Sequence, residues 1–176
     1  MKKTLFTINI DNTIDLITNS SSELFILHED SLETAKEMVE QVYPDYLSEY
    51  EELTSLRDSS LDNIRLYIDW VEDSWYDTKP YNYYQMSEKE RREYSIKRYI
   101  EFANKFDLQP EDIYDNWDNI YKGDYWYANI SDSVVKLLAD KIDPDGKIFL
   151  LRSISENPNW DYQEQLSNIA TRYHLG

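Results

Sequence analysis

Two short apolar runs, one toward each end of the chain, restrict the folds that are open to it. Residues 23–28 read ELFILH and residues 147–152 read KIFLLR, and both are rich in strand-forming side chains. Because the centre of each run is continuously apolar, we expect two buried strands. A further strand is predicted over residues 4–10, TLFTINI, where apolar side chains alternate with others. The sequence DPDG at 143–146 predicts a turn directly before the second run.

The stretch between these strands is patterned for helices. From Leu61 onward, apolar residues recur at spacings of three and four, which is typical of an amphipathic helix. The sequence SEKE at 87–90 predicts a capping box, and one helix is predicted from Pro110 to Gly123. A last helix is predicted from Asn157 onward. Its apolar stripe comprises Tyr162, Leu166, Ile169 and Tyr173.

These elements predict an α+β fold in a single domain over residues 1–176. We expect a small, mostly antiparallel sheet from about residues 4–28 and 146–153, covered by about six helices from the acidic middle, residues 30–142. Five Trp, sixteen Tyr and five Phe supply enough ring surface for a packed core in so polar a chain. The sequence has no cysteine, which excludes disulfides, thiolate zinc sites and a cysteine nucleophile.

The chain carries a formal net charge of −17, which argues against direct binding of nucleic acid or anionic lipid and favours a basic protein partner. The charge is uneven, since residues 29–77 hold fifteen acidic and three basic residues. Residues 88–105 are mildly basic, and we expect their cations to pair with acidic neighbours. No run is apolar for long enough to span a membrane or to serve as a signal peptide, so we expect a cytoplasmic protein.

The acidic stretch is the predicted partner-binding surface. A folded body with this field attracts a basic groove, because clustered carboxylates imitate a row of phosphates. Tyrosines within the stretch would add less polar contacts. The predicted partner-binding residues are Glu37, Glu40, Asp45, Tyr46, Glu49, Tyr50, Glu51, Glu52, Asp58, Asp62, Asp69, Glu72, Asp73, Tyr76 and Asp77.

Other acidic and aromatic patterns are less specific. Asp112, Asp115 and Asp118 repeat every three residues, but they do not match a calcium loop, and we interpret them as a solvated helix face. The rings of KPYNYY (79–84) and DYWYAN (124–129) could stack on sugars, although such residues also mark protein interfaces. Paired carboxylates for glycoside hydrolysis stay open, because the many acidic residues single out no pair. We predict no metal and no cofactor.

The segment TNSSS, residues 18–22, is the basis of an alternative anion site. Ser20, Ser21 and Ser22 could meet Arg172 and His174 if both ends of the chain share one sheet, and Arg172 could then hold a carboxylate or phosphate. The loop lacks the glycines and the following helix of a phosphate loop. We therefore interpret it as a polar turn that leads into the first apolar run, and we assign no residue a catalytic role.

The segment DLITNSSSELFIL and the ending RYHLG (172–176) resemble the two ends of uncharacterised bacterial and bacteriophage proteins. Those proteins begin with a hydrophobic segment, TNSSS and a second hydrophobic segment. This chain has Glu23 where serine often continues the run. The resemblance implies a bacterial or phage cytoplasm and one substructure for both ends of the chain, and it implies no activity.

Charge and composition favour a non-enzymatic binding protein. The specific hypothesis is a phage-encoded inhibitor that mimics nucleic-acid charge and blocks the basic groove of a host nucleic-acid-binding defence enzyme. Two alternatives stay open. One is a small enzyme or anion-binding domain at the Ser20–Ser22 loop, and the other is a phage structural or assembly protein.

Overall fold

The structure, a computed structural model, describes residues 22–42, 53–75, 80, 82–154 and 160–175. They belong to two compact units, one within residues 1–53 and 149–176 and the other within residues 54–148. The single domain expected from the sequence stays a prediction.

The described residues contain four strands and seven α-helices. The strands are β1 (Ser22–His28), β2 (Thr54–Ser55), β3 (Ile148–Ile154) and β4 (Thr171–Leu175). The helices are α1 (Leu32–Val42), α2 (Leu61–Trp75), α3 (Glu88–Lys105), α4 (Pro110–Ile113), α5 (Trp117–Lys122), α6 (Asp132–Ile142) and α7 (Trp160–Ser167), with a 3-10 turn at Tyr83–Gln85. The strands form one antiparallel sheet in the order β2-β3-β1-β4, which confirms the predicted α+β fold. The strand predicted over residues 4–10 lies outside the described residues.

The first unit is built around β1, of which residues 23–27 are at most 3% exposed. Phe25 and Leu27 alternate along β1 and share a core with Phe149 and Leu151 of β3. That core is completed by Ala35, Val39, Leu53 and Leu166. Burying one such aliphatic or aromatic side chain is worth about 1.5–3 kcal/mol. Both apolar runs are therefore buried strands, as predicted.

The C-terminal segment corrects one prediction. The helix predicted from Asn157 onward was expected to carry Tyr173 on its stripe, but α7 ends at Ser167 and residues 171–175 form β4. This strand pairs antiparallel with β1, with Glu23 opposite His174 and Phe25 opposite Arg172. The helical spacing was misleading because pairing satisfies the backbone groups along the edge of β1, and a sequence window does not contain that partner.

The second unit contains α2 to α6, and its helix starts follow the sequence signals. Ser87 and Glu90 form the predicted capping box at the start of α3. The predicted turn at residues 143–146 is present, with Gly146 at φ +69°. The buried Asp143 carboxylate accepts hydrogen bonds from the backbone N–H groups of Lys147 (2.8 Å) and Ile148 (3.2 Å), which fixes the entry into β3.

The helix predicted from Pro110 to Gly123 is interrupted. Pro110 opens α4 and Gly123 closes α5 at φ +89°, as the sequence indicates, but the residues between the helices leave the helical path. Tyr114 forms an isolated β-bridge with Ile130. The Asp115 N–H donates to the Asn129 carbonyl at 2.8 Å instead of to a helical carbonyl. This break forms one wall of the cavity described next.

Candidate functional site

A cavity of about 490 Å³ lies within the second unit. Its volume is in the range of small-molecule sites. Helix α2 supplies one wall, and the other walls come from α3, the α4–α5 break, residues 127–130 and α6. The lining residues are Arg65, Ile68, Asp69, Glu72, Tyr99, Tyr114, Tyr127, Ala128, Asn129, Ile130 and Val135.

Helix α2 brings its charged residues to the cavity through simple helical spacing. Ile64 and Ile68 belong to its buried stripe. Asp69 and Glu72 are three residues apart, and residues at this spacing are neighbours on a helix surface. Because they border the buried stripe, they reach the cavity lining together. The cavity therefore carries two carboxyl groups on one wall.

Burial changes the acidity of both carboxyl groups. Burial is the main cause that raises the pKa of Glu72 to about 7, Arg98 lowers it, and the charges of Asp69 and Asp73 raise it further. Burial, and then the charge of Asp73, raise the pKa of Asp69 to about 6, while Arg65 acts in the opposite direction. Near neutral pH the pair therefore shifts between protonated and ionised forms, and a nearby cation would favour ionisation.

The neighbouring arginines are engaged elsewhere. Arg65 donates to the Ile130 carbonyl at 2.6 Å and to the Asp132 carboxylate at 2.5 Å. Arg98 forms an ion pair with Asp73 at 3.2 Å. In the part of the chain that the structure describes, no lysine or arginine lies within ion-pair distance of the Asp69 or Glu72 carboxylate. Within the described ranges the two carboxylates thus form no ion pair, although the nearby charges of Arg98 and Arg65 lower their pKa values.

Aromatic rings from other elements also line the cavity. Tyr99 and Tyr114 lie with ring centroids 5.0 Å apart, and burial raises the pKa of the Tyr99 hydroxyl. Tyr127 is 55% exposed and stands at the solvent side of the lining, which shows that the cavity opens to water. Its ring lies 4.0 Å from that of Trp126. The aromatic faces present negative electrostatic potential beside the carboxylates.

The segment 127–130 is held in place by hydrogen bonds. The Asn116 side chain donates to the Tyr127 carbonyl at 2.6 Å and accepts from the Asn129 N–H at 2.9 Å. The guanidinium of Arg65 fixes the Ile130 carbonyl. The rim that carries Tyr127 is therefore a preformed wall, and a ligand would not have to order it first.

The arrangement is suited to holding an organic cation. Carboxylates attract it, and tyrosine faces stabilise a cation placed over them. Among the described residues, no group of three His, Asp or Glu side chains could hold a metal ion. Glycoside hydrolysis needs carboxyl groups on both sides of the scissile bond, whereas Asp69 and Glu72 lie on one helix wall. The lining therefore offers contacts with which a cation could be bound.

Seven of the predicted partner-binding acids lie in the described residues. Glu37 and Glu40 are exposed on α1 in the first unit. In the second unit Asp58, Asp62, Asp69 and Asp73 are exposed, and Asp69 also lines the cavity together with the half-buried Glu72. The residues outside the described part of the chain are Asp45, Tyr46, Glu49, Tyr50, Glu51, Glu52, Tyr76 and Asp77.

The alternative anion site is only partly described. Ser20 and Ser21 lie outside the described residues, and Ser22 pairs with Leu175 through the backbone register of β1 and β4. Arg172 is ion-paired with the buried carboxylate of Glu23, and His174 Nδ1 lies 3.4 Å from the same oxygen. An internal carboxylate thus already occupies the position that an anion would take on Arg172.

The sequence singled out Asp69 and Glu72 but not their surroundings. Tyr99, Tyr114 and Arg65 were not selected from the sequence, and Tyr127 was noticed only as part of DYWYAN. Spacing along α2 was a usable signal for the carboxyl pair. No local signal joins residues 65, 99 and 127, because their proximity depends on how the helices pack.

The chain matches no protein-family model, no curated protein and no solved structure. Within the described residues, every helix is too short or too polar to cross a lipid bilayer.

Proposed function

We propose that this chain is a non-enzymatic acidic protein that binds a basic protein partner. In the specific form of the proposal, it is a phage-encoded inhibitor that imitates nucleic-acid charge and occupies the basic groove of a nucleic-acid-binding defence enzyme. The resemblance of both chain ends to bacterial and bacteriophage proteins supports the cytoplasm of a bacterial or phage-infected cell as the setting.

One observation carries the proposal. Of the seven described acids in the predicted surface, only Asp73 forms an ion pair with a lysine or arginine of the described chain. Acidic residues that merely balance internal cations would lie beside them, as Glu93 and Glu101 lie beside lysines on α3. The charge of carboxylates without such partners is not neutralised by a neighbouring cation. Their electrostatic field therefore extends into the solvent and attracts a cationic groove.

The basic residues of helix α3 also support the proposal. On α3, Lys89 lies 3.8 Å from Glu93 and Lys97 lies 3.7 Å from Glu101. Arg92 donates to the Gly123 carbonyl at 3.1 Å. These three cations already have acceptors within the second unit, which leaves less positive charge on α3 for a nucleic acid.

The test compares two variants with the same loss of charge. In the first, Glu37→Gln, Glu40→Gln, Asp58→Asn and Asp62→Asn remove exposed acids from the predicted surface. In the control, Glu93→Gln, Glu101→Gln, Asp118→Asn and Asp140→Asn remove acids that already pair with cations. Each chain is immobilised and exposed to bacterial lysate at low and high salt, and the captured proteins are identified.

We expect the wild type and the control to retain a basic nucleic-acid-binding protein, and the first variant to retain about tenfold less of it. Added duplex DNA should release that protein, because both ligands compete for one groove. Capture that survives high salt, that DNA does not displace, or that both variants lose equally would contradict the proposal.

A further inference from the structure

The cavity of the second unit has features that a charged surface alone does not require. It is a concave space with two carboxyl groups on one wall, and three tyrosines contribute to its lining. The rings and the enclosed volume are observations independent of the acids. Asp69 is exposed at the cavity and Glu72 is half-buried, so a group that meets both carboxylates also meets the tyrosines of the lining.

We propose that this cavity binds one guanidinium group, the arginine side chain of the basic partner. The proposal deepens the proposed function and rests on it for the source of the arginine. The Asp69 and Glu72 carboxylates accept the N–H donors, and the faces of Tyr99 and Tyr127 cover the planar group. The arginine enters past Tyr127, on the exposed side of the lining.

Guanidinium fits this lining better than ammonium. It is planar, it is weakly hydrated, and it presents several N–H donors in one plane to neighbouring carboxylates. It also stacks on aromatic faces, whereas ammonium keeps more of its hydration shell. A cavity whose lining combines tyrosine rings with two carboxyl groups therefore favours the cation that can both stack and donate in one plane.

The charge around the cavity favours an added cation. The charged and titratable groups that face Glu72 are Arg65, Asp69 and Asp73 on α2, Arg98 and Tyr99 on α3, Tyr114, Tyr127 and Asp132. Arg65 is matched by Asp132, and Arg98 is matched by Asp73. The remaining pair, Asp69 and Glu72, gives a local charge of up to −2 when both groups are ionised.

Arginine binding should therefore depend on pH. The bound cation favours the ionised carboxyl groups, so protons leave as it binds. Because the pKa values of Asp69 and Glu72 are raised to about 6 and about 7, affinity should increase as the pH rises through this range. Calorimetry in two buffers of different ionisation enthalpy would measure the released protons.

The probe is a tripeptide Gly-Arg-Gly with both ends capped, so that guanidinium is its only charge. Matched peptides carry citrulline, a neutral isostere, or lysine. The protein is the full chain, as the wild type and as the double variant Asp69→Asn with Glu72→Gln. The control pair, Glu111→Gln with Asp118→Asn, removes the same charge from exposed positions of the same unit.

We expect the cavity variant to bind the arginine peptide at least about tenfold more weakly than the wild type at pH 8, and the control to bind within about twofold. Wild-type affinity should rise about tenfold from pH 5.5 to pH 8, and that of the cavity variant should stay constant. Equal binding of the citrulline peptide would overturn the proposal, as would equal loss in the control. Equal or tighter binding of the lysine peptide would overturn the choice of guanidinium.

A second measurement keeps the test decisive if the double variant does not fold. In the wild type, NMR should show nuclear Overhauser contacts between the arginine side chain of the peptide and the ring of Tyr127. Their absence at saturating peptide would overturn the proposal. The two proposals fail separately: peptide binding without a captured basic protein overturns the proposed function, whereas partner capture that ignores Asp69→Asn with Glu72→Gln overturns only the arginine site.

Discussion

Glu23 in the first unit and Glu72 in the second are both withdrawn from water, but their environments differ. Glu23 is 3% exposed and its carboxylate receives the guanidinium of Arg172, with His174 beside it. Glu72 is half-buried, and no basic side chain of the described residues lies within ion-pair distance of it. Oε1 of Glu23 is ion-paired inside its own unit, whereas the Glu72 carboxylate forms no ion pair among the described residues.

The two acids differ in whether the fold supplies an ion-pair partner among the described residues. A buried carboxylate needs a charged or hydrogen-bonding partner. Strand β4 provides that partner to Glu23 through the register that places residues 172 and 174 along β1. Around Glu72 the arginines are held by Asp132 and Asp73. A carboxylate that is partly buried without an ion pair lowers stability, and such groups are often found at functional sites.

Removing the internal partner should have the largest effect. Arg172→Ala leaves the Glu23 carboxylate buried without its guanidinium, and we expect a loss of about 3 kcal/mol in unfolding free energy, measured by urea denaturation. Lys97→Ala, which breaks an exposed pair with Glu101, should cost less than about 1 kcal/mol. If the two variants were equally stable, Glu23 would not differ from a surface acid.

Glu72→Gln should alter how stability depends on pH. The folded-state pKa of Glu72 is raised from 4.5 to about 7, so its contribution is fully present below pH 4.5 and is lost as the pH rises through 7. Allowing for partial exposure, we expect wild-type unfolding free energy to fall by about 2 kcal/mol more than that of the variant between pH 4.5 and 8.

Asp69→Asn should act in the same direction over a lower range, because the pKa of Asp69 is raised from 3.8 to about 6. Chemical denaturation at five or six pH values would measure both curves. If stability depended on pH in the same way in the wild type and in Glu72→Gln, burial would not raise the pKa of Glu72. The contrast with the ion-paired Glu23 would then not hold.

Asn116→Ala should weaken the cavity wall at a smaller cost. It removes the two hydrogen bonds that hold the segment from Tyr127 to Asn129, and we expect a loss of about 1–2 kcal/mol. The arginine peptide should also bind more weakly, since Tyr127 is no longer positioned. The control Asn104→Ala changes an exposed asparagine at the end of α3 and should leave both quantities unchanged. Unaltered peptide binding in Asn116→Ala would exclude a preformed wall.

The smallest stability effect is expected for the exposed acids of α1. Glu37→Gln with Glu40→Gln should change the unfolding free energy by no more than about 0.5 kcal/mol. The same pair should still reduce the association rate with the basic partner, most clearly at low salt. Stopped-flow kinetics would measure this rate. A large loss of stability would show that these acids have internal roles similar to that of Glu23.

Sequence reasoning succeeded where a local rule applied. The buried run at 23–27, the capping box of Ser87 and Glu90, and the turn that ends at Gly146 are each specified by residues close in sequence. It was wrong for residues 171–175, which pair with a strand about 150 residues away. It was also wrong for the helix from Pro110 to Gly123, which is interrupted by a bridge to Ile130.

Local patterns were sufficient for the fold class, for most helix starts and for the strongly negative charge, because these follow from neighbouring residues or from simple counting. The partner of each buried acid depended on tertiary packing. Glu23 and Glu72 have the same side chain, and only the folded chain places Arg172 beside one of them and three tyrosines around the cavity of the other. The pKa of a carboxyl group and its ion pairs depend on burial and on distances to other charges, and neither can be read from the sequence alone.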